Sequence, residues 1–575
     1  MNSPPRRLRR FLPWLALLGL VHAAIGCSWI NDVPDVEPEV GSCTDGVDND
    51  HDSEVDCADS DCREFCPTGS GIILPGAGAC PSDWVARRAP QLPLAAFPEG
   101  TYPRYCRVLI PDPSEPPGCD LFLLRGGASS FCELPPLACD AAPPIPEEPI
   151  VDLLVGESLE LRLLEIAPAD PSAGRIWLRL PAGLYEASLT LPAGVGLLGP
   201  CDGEAVIAGS ITLSENSALD NLVVRSLGLA ASEAAIVLSE RASASLHAIR
   251  VEIDAGRGID VRAHATLVAE IVALDAVGAE VGLHIAEGAV AELMMTSVLG
   301  ADSGVVVLGG QLQAQAFVAR GGRRGIVVGA AATADLAWIL LAEQTGEALV
   351  INPGDEPDRR SASLPCTFGT REEDRLGLGD VCATGLHIER PGALSGGEPG
   401  TGIVLASGSA RLHRVFVHEA DDVAIEITGG QHTISELITY STGMRTLEGR
   451  GLVMRGGSLE LMLAAILSTT DISIDIEHAS LVARNLVAGI RPFIVLSGVG
   501  VRIADTSDVL LENFYLTSSG LCGLRIEEGG EPIFRDGVIQ RFQRGACVHA
   551  SVFDPAVLTY SVTYLENGAS LWVYE

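Results

Sequence analysis

From about residue 230 to the C-terminus one short phrase keeps returning, roughly every two dozen residues: a small residue, an apolar one, any residue, an apolar one. It reads Gly258-Ile259-Asp260-Val261, Gly282-Leu283-His284-Ile285, Gly304-Val305-Val306-Val307 and Gly325-Ile326-Val327-Val328. It resumes as Gly402-Ile403-Val404-Leu405, Gly451-Leu452-Val453-Met454, Gly500-Val501-Arg502-Ile503 and Gly523-Leu524-Arg525-Ile526. A fixed period of this size marks a supersecondary unit that cannot bury its own apolar face and has to stack on copies of itself. The apolar residues are spaced by two, the runs are short, Val and Ile are common and Gly recurs at the ends, which favours strands over helices. A leucine-rich horseshoe has a similar period but needs a denser leucine pattern. About 15 turns at the ~4.8 Å strand spacing make a rod on the order of 70 Å long.

A second apolar strand follows in each repeat: Leu222-Val223-Val224 after Asn221, Leu486-Val487 after Asn485, Phe514-Tyr515-Leu516 after Asn513. Asn suits a bend because it tolerates left-handed backbone; other repeats place Arg414, Glu436 or Ala465 there. Gly at the head of the main strand reads as permitting a tight corner. The region opens with Arg175-Ile176-Trp177-Leu178-Arg179-Leu180, then Pro181-Ala182-Gly183-Leu184-Tyr185 and the runs at Ser188 to Leu191 and Val195 to Leu198. This opening resembles the first turns of right-handed parallel β-helix proteins of the pectin-lyase-like class, and the resemblance covers residues 170 to 575. It implies an all-β chain, a right-handed parallel β-helix solenoid preceded by a small disulfide-rich, acidic N-terminal region. It implies little about activity.

The expected organisation is a signal peptide at 1–26, an anchor and acidic tether at 27–42 and a Cys/Asp-rich module at 43–66. A Cys/Pro-rich region with linkers follows at 67–150, then the β-helix at 151–575, interrupted by a polar loop insertion at 352–400 that is either decorative or a binding element. The leader has a positive n-region and an apolar run from Phe11 to about Ile25, short of the ~20 residues a bilayer span needs. Its end, Ala24-Ile25-Gly26-Cys27, resembles a bacterial lipobox with Ala24 in place of the usual Leu. That resemblance implies a lipidated Cys27, attachment to a membrane through the lipid, and, from Ser28, delivery to the outer membrane or cell surface.

The 38 basic residues are all arginine, so chemistry requiring a lysine base or Schiff base is excluded. The net charge of -37 predicts repulsion of nucleic acid and affinity for cations or for neutral and basic partners. Fourteen cysteines follow Cys27, an even number in an exported chain, which points to disulfides. Cys366 and Cys382 bracket the insertion. Cys522 and Cys547 lie about one repeat apart, so that stacking brings them near one another. The chain is expected to be monomeric.

Asp48, Asp50, Asp52, Asp56 and Asp59 occupy positions 1, 3, 5, 9 and 12 of a loop, the spacing at which alternate side chains converge on calcium. Ser53 replaces the expected Gly at position 6, Asp59 replaces Glu at position 12, and cysteines bracket the loop instead of helices. An acidic disulfide knot without an ion and a zinc site are the alternatives. The stretch from Cys43 to Cys62 resembles Cys/Asp repeats of myxobacterial surface proteins and is similar to thrombospondin type-3 calcium repeats.

On the solenoid, Ala420-Asp421-Asp422-Val423-Ala424-Ile425 resembles the Asp-Asp segment of polygalacturonase-like glycosidases, where paired carboxylates act as acid and base. The rest of that family's set is missing, so Asp421 and Asp422 stand only as weak catalytic candidates, and a solvated turn is the competing reading. His413 and His418 flank a strand five apart, an odd spacing that puts them on opposite faces and makes them a poor pair for a metal. His247, His264, His284, His387 and His432 read as isolated turn or surface residues. No nucleophile elbow, phosphate loop, dinucleotide fingerprint or zinc-protease motif is present. The leading expectation is a surface-tethered, calcium-stabilised structural or binding protein that meets glycans or neighbouring cells. The competing one is an extracellular polysaccharide lyase or glycoside hydrolase.

Overall fold

A computed structural model describes residues 71–74, 84–88, 104–108 and 148–575, the last stretch apart from single residues and short segments of which the largest are 352–363, 366–377, 393–399, 444–448 and 491–497. Cys27 and the five aspartates from Asp48 to Asp59 lie outside the described residues. The solenoid belongs to a compact unit comprising Gly69–Arg87 and Ala95–Glu575.

The repeat builds a parallel β-solenoid. Each phrase is a short strand, and these stack into one 16-stranded sheet running from Leu189–Thr190 to Ala569–Tyr574. The intervening segments form a second parallel sheet of strands mostly ten residues long, such as Thr266–Asp275, Val290–Leu299 and Gln311–Arg320. Its rungs are in register from Ser217–Ser226 to Glu531–Gln540, with one irregularity between Ile466 and Thr469. The helix Leu159–Ile166, capped at Ser158, covers the first turns by burying Leu159 and Leu163.

The small residue that heads each short strand is dictated by crowding. A Cβ on Gly282 would stand 2.6 Å from the Gly304 carbonyl oxygen and 2.5 Å from Val298 Cγ1, and the backbone φ there is not left-handed. The corner role expected for these glycines is therefore corrected: the next turn lies too close for a large side chain. Ala424 and Ser473, small as well, take the same place in other turns.

The left-handed residue sits elsewhere, in the middle of each long strand. Asn221, Ala248, Ile271, Met295, Ala316, Trp338, Gly385, Arg414, Glu436, Leu463, Asn485, Asn513 and Asp536 form a column with φ between 51° and 67°. Leu463 holds the place expected for Ala465, which instead lies in the following strand limb. Only some rungs use the asparagine that favours this geometry. Asn513 Nδ2 donates to Asn485 Oδ1 at 2.5 Å. A β-branched residue pays most for a left-handed φ, so Ile271→Asn is expected to stabilise the chain by about 1 kcal/mol, read as a rise in denaturation midpoint. No gain, or a loss, would show that the half-buried Ile271 side chain contributes more by packing than its backbone costs.

Inside, volumes interlock. One inward row reads Ala244, Leu267, Ala291, Leu312, Ala334 and its companion Leu246, Ala269, Leu293, Ala314, Leu336, so that each of these five rungs supplies one large and one small residue in alternating order. Such alternation fills the interior at crystal-like density without strain. The outward row Val318, Leu340, His387, Phe416, Ile438 and Val487 is also buried. The strand Gly71–Leu74, antiparallel to Arg104–Val108, lies against Val381–Glu389 in this part of the sheet.

The insertion at 352–400 is not loop throughout. Val381–Glu389 is a full rung of the long sheet, paired with Thr333–Ala342 and Ser409–His418. Its glycine at the bend and the polar sequence around it conceal the strand pattern. A disulfide joins Cys522 and Cys547 with their Cα atoms 5.9 Å apart. Cys382 is also disulfide-bonded, and Cys366 lies outside the described residues. Among the described residues no helix is long and apolar enough to cross a membrane.

Candidate functional site

The third residue of each repeat phrase points outward, so the short sheet carries one exterior side chain per turn. Much of this row is valine: Val306, Val327, Val350, Val404 and Val453. Glu426 stands alone among them, and two charged groups interrupt the row further, one at Asp260 and His284 in successive turns, the other at Asp475, Arg502 and Arg525.

The first group flanks a concavity of about 590 Å³ near the N-terminal end of the sheet. The loop between the strands Ser217–Ser226 and Ala234–Leu238 walls one side with Leu227, Leu229, Ser232 and Glu233; Val237 and Asp260 come from the short sheet and Arg262 directly follows the strand Arg257–Val261; Ser188, Ser210 and Arg225 are also in the lining. Asp260 Oδ1 lies 2.7 Å from His284 Nδ1 and 3.3 Å from Arg257 Nη1, and Asp260 Oδ2 lies 3.6 Å from Arg262 Nε. Burial pushes the Asp260 carboxyl up, but the His284 hydrogen bond and the His284, Arg257 and Arg262 charges outweigh it and hold the pKa below the ordinary aspartate value. Arg225 Nε donates to Glu252 Oε2 at 2.5 Å, and Glu233 Oε2 accepts from the Ala230 N–H at 2.9 Å. The chemistry on offer is an ionised carboxylate, a partly exposed guanidinium at Arg262, several hydroxyls and an apolar floor. A general acid has to be protonated at its working pH, and the depressed Asp260 does not meet that need. Hydroxyl-rich ligands fit the set, because they donate to carboxylates, accept from guanidinium groups and lay their C–H faces on leucine and valine.

The second group is a ladder of ion pairs. Asp475, with a side chain 5% exposed, lies 2.7 Å from Arg502 Nη1 and 3.8 Å from Arg450 Nη1. Arg502 reaches Glu527 at 2.9 Å, and Arg525 reaches the same glutamate at 2.7 Å. Burial works against the Arg502 charge, but its bonds to Glu527 and Asp475 keep it protonated more firmly than usual. Every charge here has a partner within the ladder, which makes it a structural element.

Asp421 and Asp422 occupy the turn before Val423–Ile427, half-buried. Their N–H groups donate to the Pro391 and Gly400 carbonyls at 3.2 Å, and the Asp422 carbonyl accepts from Arg450 N–H at 2.7 Å. They lie in neither charged group of the short sheet. Several histidine expectations are corrected. His413 and His418 both face outward, because the left-handed bend at Arg414 resets the alternation between them. His284 and His247 are paired with Asp260 and Asp220. His387 and His432 are buried, and His432 Nδ1 accepts from the Ala410 N–H at 3.2 Å while its Nε2 donates to the Gly429 carbonyl at 2.7 Å. Asp260 and His284 were hidden in plain view at the free third place of the repeat phrase. The available signal was two titratable residues in consecutive repeats where valine is common.

No protein-family model and no curated protein matches the chain. Among solved structures, the catalytic domain of GH87 α-1,3-glucanase in complex with nigerose is similar at 11% identity and a TM-score of 0.24, covering 82% of this chain and 74% of that one. The Azotobacter vinelandii mannuronan C-5 epimerase AlgE6 A-module is similar at 11% identity and a TM-score of 0.15, covering 72% of this chain and 91% of that one. Likenesses of this size transfer no activity.

Proposed function

We propose that this chain is an exported, lipid-anchored scaffold at the outer membrane or cell surface that binds a carbohydrate in the concavity beside Asp260 and does not process it. The observation that supports this reading is the Asp260 cluster itself: a carboxylate kept ionised by His284, Arg257 and Arg262 at the edge of a serine-lined hollow. It suits hydrogen bonding to sugar hydroxyls better than proton delivery to a leaving group. The anchor rests on the sequence around Cys27, and calcium stabilisation rests on the spacing of Asp48, Asp50, Asp52, Asp56 and Asp59. Both are part of the proposal, as is a monomeric state.

The test is calorimetric titration of the full chain with a panel of neutral and acidic oligosaccharides, alongside Asp260→Asn and Arg262→Ala. A ligand whose affinity falls at least about tenfold in both variants, a loss of about 1.4 kcal/mol, supports the site. A ligand that binds both variants as it binds the parent overturns it. Chromatography of the same mixtures looks for products; turnover that disappears in Asp421→Ala or Asp422→Ala would replace binding with hydrolase or lyase chemistry. Chelation that leaves the melting profile unchanged removes calcium from the account, and labelling with radioactive palmitate tests Cys27.

A further inference from the structure

Glu477, His478 and Asp505 meet at one corner of two successive turns, well apart from the Asp260 concavity in the sequence of rungs. His478 and Asp505 each lie in the connection from a short strand to the next long strand, and Glu477 ends the strand Ile472–Glu477. One ligand atom from each of the three lies within 4.8 Å of the others. His478 Nδ1 is 3.4 Å from Thr506 Oγ1, while its Nε2 stands 3.7 Å from Asp505 Oδ2, too far for a hydrogen bond. When the ring places its Nδ1 hydrogen toward Thr506, its Nε2 lone pair lies on the side of Asp505. A cation between the imidazole nitrogen and the two carboxylates would satisfy all three, and an oxygen partner on the far ring nitrogen is how metal-binding imidazoles are oriented. Arg455 engages Glu477 through Oε2 at 3.2 Å.

The geometry points to a divalent transition-metal site formed by Glu477, His478 and Asp505, completed by water. One imidazole nitrogen and two carboxylate oxygens suit zinc, cobalt or nickel better than calcium, which prefers an all-oxygen shell. Ligand distances near 2.1 Å require the three atoms to close to roughly 3 Å apart, which rotation of these surface side chains supplies. The chain's net charge of -37 favours cation capture.

The experiment is titration of the full chain with Zn²⁺ by calorimetry and with Co²⁺ by visible absorption, in the parent, His478→Ala, Asp505→Asn and a double variant Asp48→Asn/Asp50→Asn. The expected result is one zinc per chain whose affinity falls about 10- to 100-fold in His478→Ala and Asp505→Asn. The cobalt bands should also change when His478 is lost, and the N-terminal double variant should behave as the parent. Circular dichroism of each variant checks that the solenoid is intact. Zinc affinity unchanged in His478→Ala overturns the proposal, as does an ion lost only in Asp48→Asn/Asp50→Asn, and so does the absence of binding in the parent.

Discussion

Replacing Asp475 with alanine is expected to destabilise the C-terminal turns by about 3–5 kcal/mol, the usual cost of leaving a buried charge without its partner. Asp475 is nearly inaccessible, and its carboxylate faces Arg502 and Arg450. Truncation leaves Arg502 bonded to Glu527 but without its second carboxylate, in a site where burial already opposes its charge. Replacing Asp475 and Arg502 together by leucine should recover most of the loss, since an apolar pair of similar volume carries no desolvation cost. The measurement is native-state hydrogen exchange over Ile472–Glu477 and Val499–Ala504, because a stacked solenoid loses turns locally and a single global transition would blur the effect. A loss under about 1 kcal/mol in the single variant would place the pair among surface ion pairs, which contribute that little.

Acidification should cost about 3 kcal/mol between pH 6.5 and pH 4 through one residue, His418. Burial lowers its pKa from 6.5 to about 4; the negative Glu389 opposes the shift, and Arg390 adds to it. The ring is stacked between Phe416 and Tyr440 at centroid distances of 5.8 Å. For a histidine depressed on folding the stability is complete above the unfolded pKa. It falls as the pH drops through the window in which the unfolded chain takes up a proton and the folded chain does not, and it levels off below the folded pKa. His432, lowered mainly by its own burial, acts in the same direction. His247 acts oppositely: its hydrogen bond to Asp220 raises it against burial, so its contribution is present below pH 6.5 and lost as the pH rises through its folded value. Asp260, held low, contributes above its ordinary value and loses that contribution only in stronger acid. His418→Phe keeps the stack and removes the titration. Melting curves at pH 7 and pH 4.5 should then show a smaller acid loss in the variant than in the parent, and equal losses would show that His418 does not stay neutral when folded.

Strand identity, parallel stacking and the exterior row of the short sheet follow from a small-apolar-any-apolar phrase repeated at a nearly constant interval, because a period of two inside a period of one turn has few physical solutions. The eight phrases read from residue 258 onward all lie in the 16-stranded sheet. What the phrase does not carry is which side chains become neighbours. Asp260 and His284 are 24 residues apart and meet only because the turns stack in register. Glu477 and Asp505 meet for the same reason, and no local pattern marks that pair.

Parity within the long strands was likewise beyond the sequence. A left-handed residue at the centre of each rung shifts the inward–outward alternation, and positions as different as Ile271, Trp338 and Glu436 adopt it because the stack imposes the bend whatever the side chain prefers. Local composition determined that this protein is a repeat of short strands; the register of one turn on the next, set by interlocking leucine and alanine rows and by backbone contact at the heading glycine, decided which of its charges form sites and which form supports.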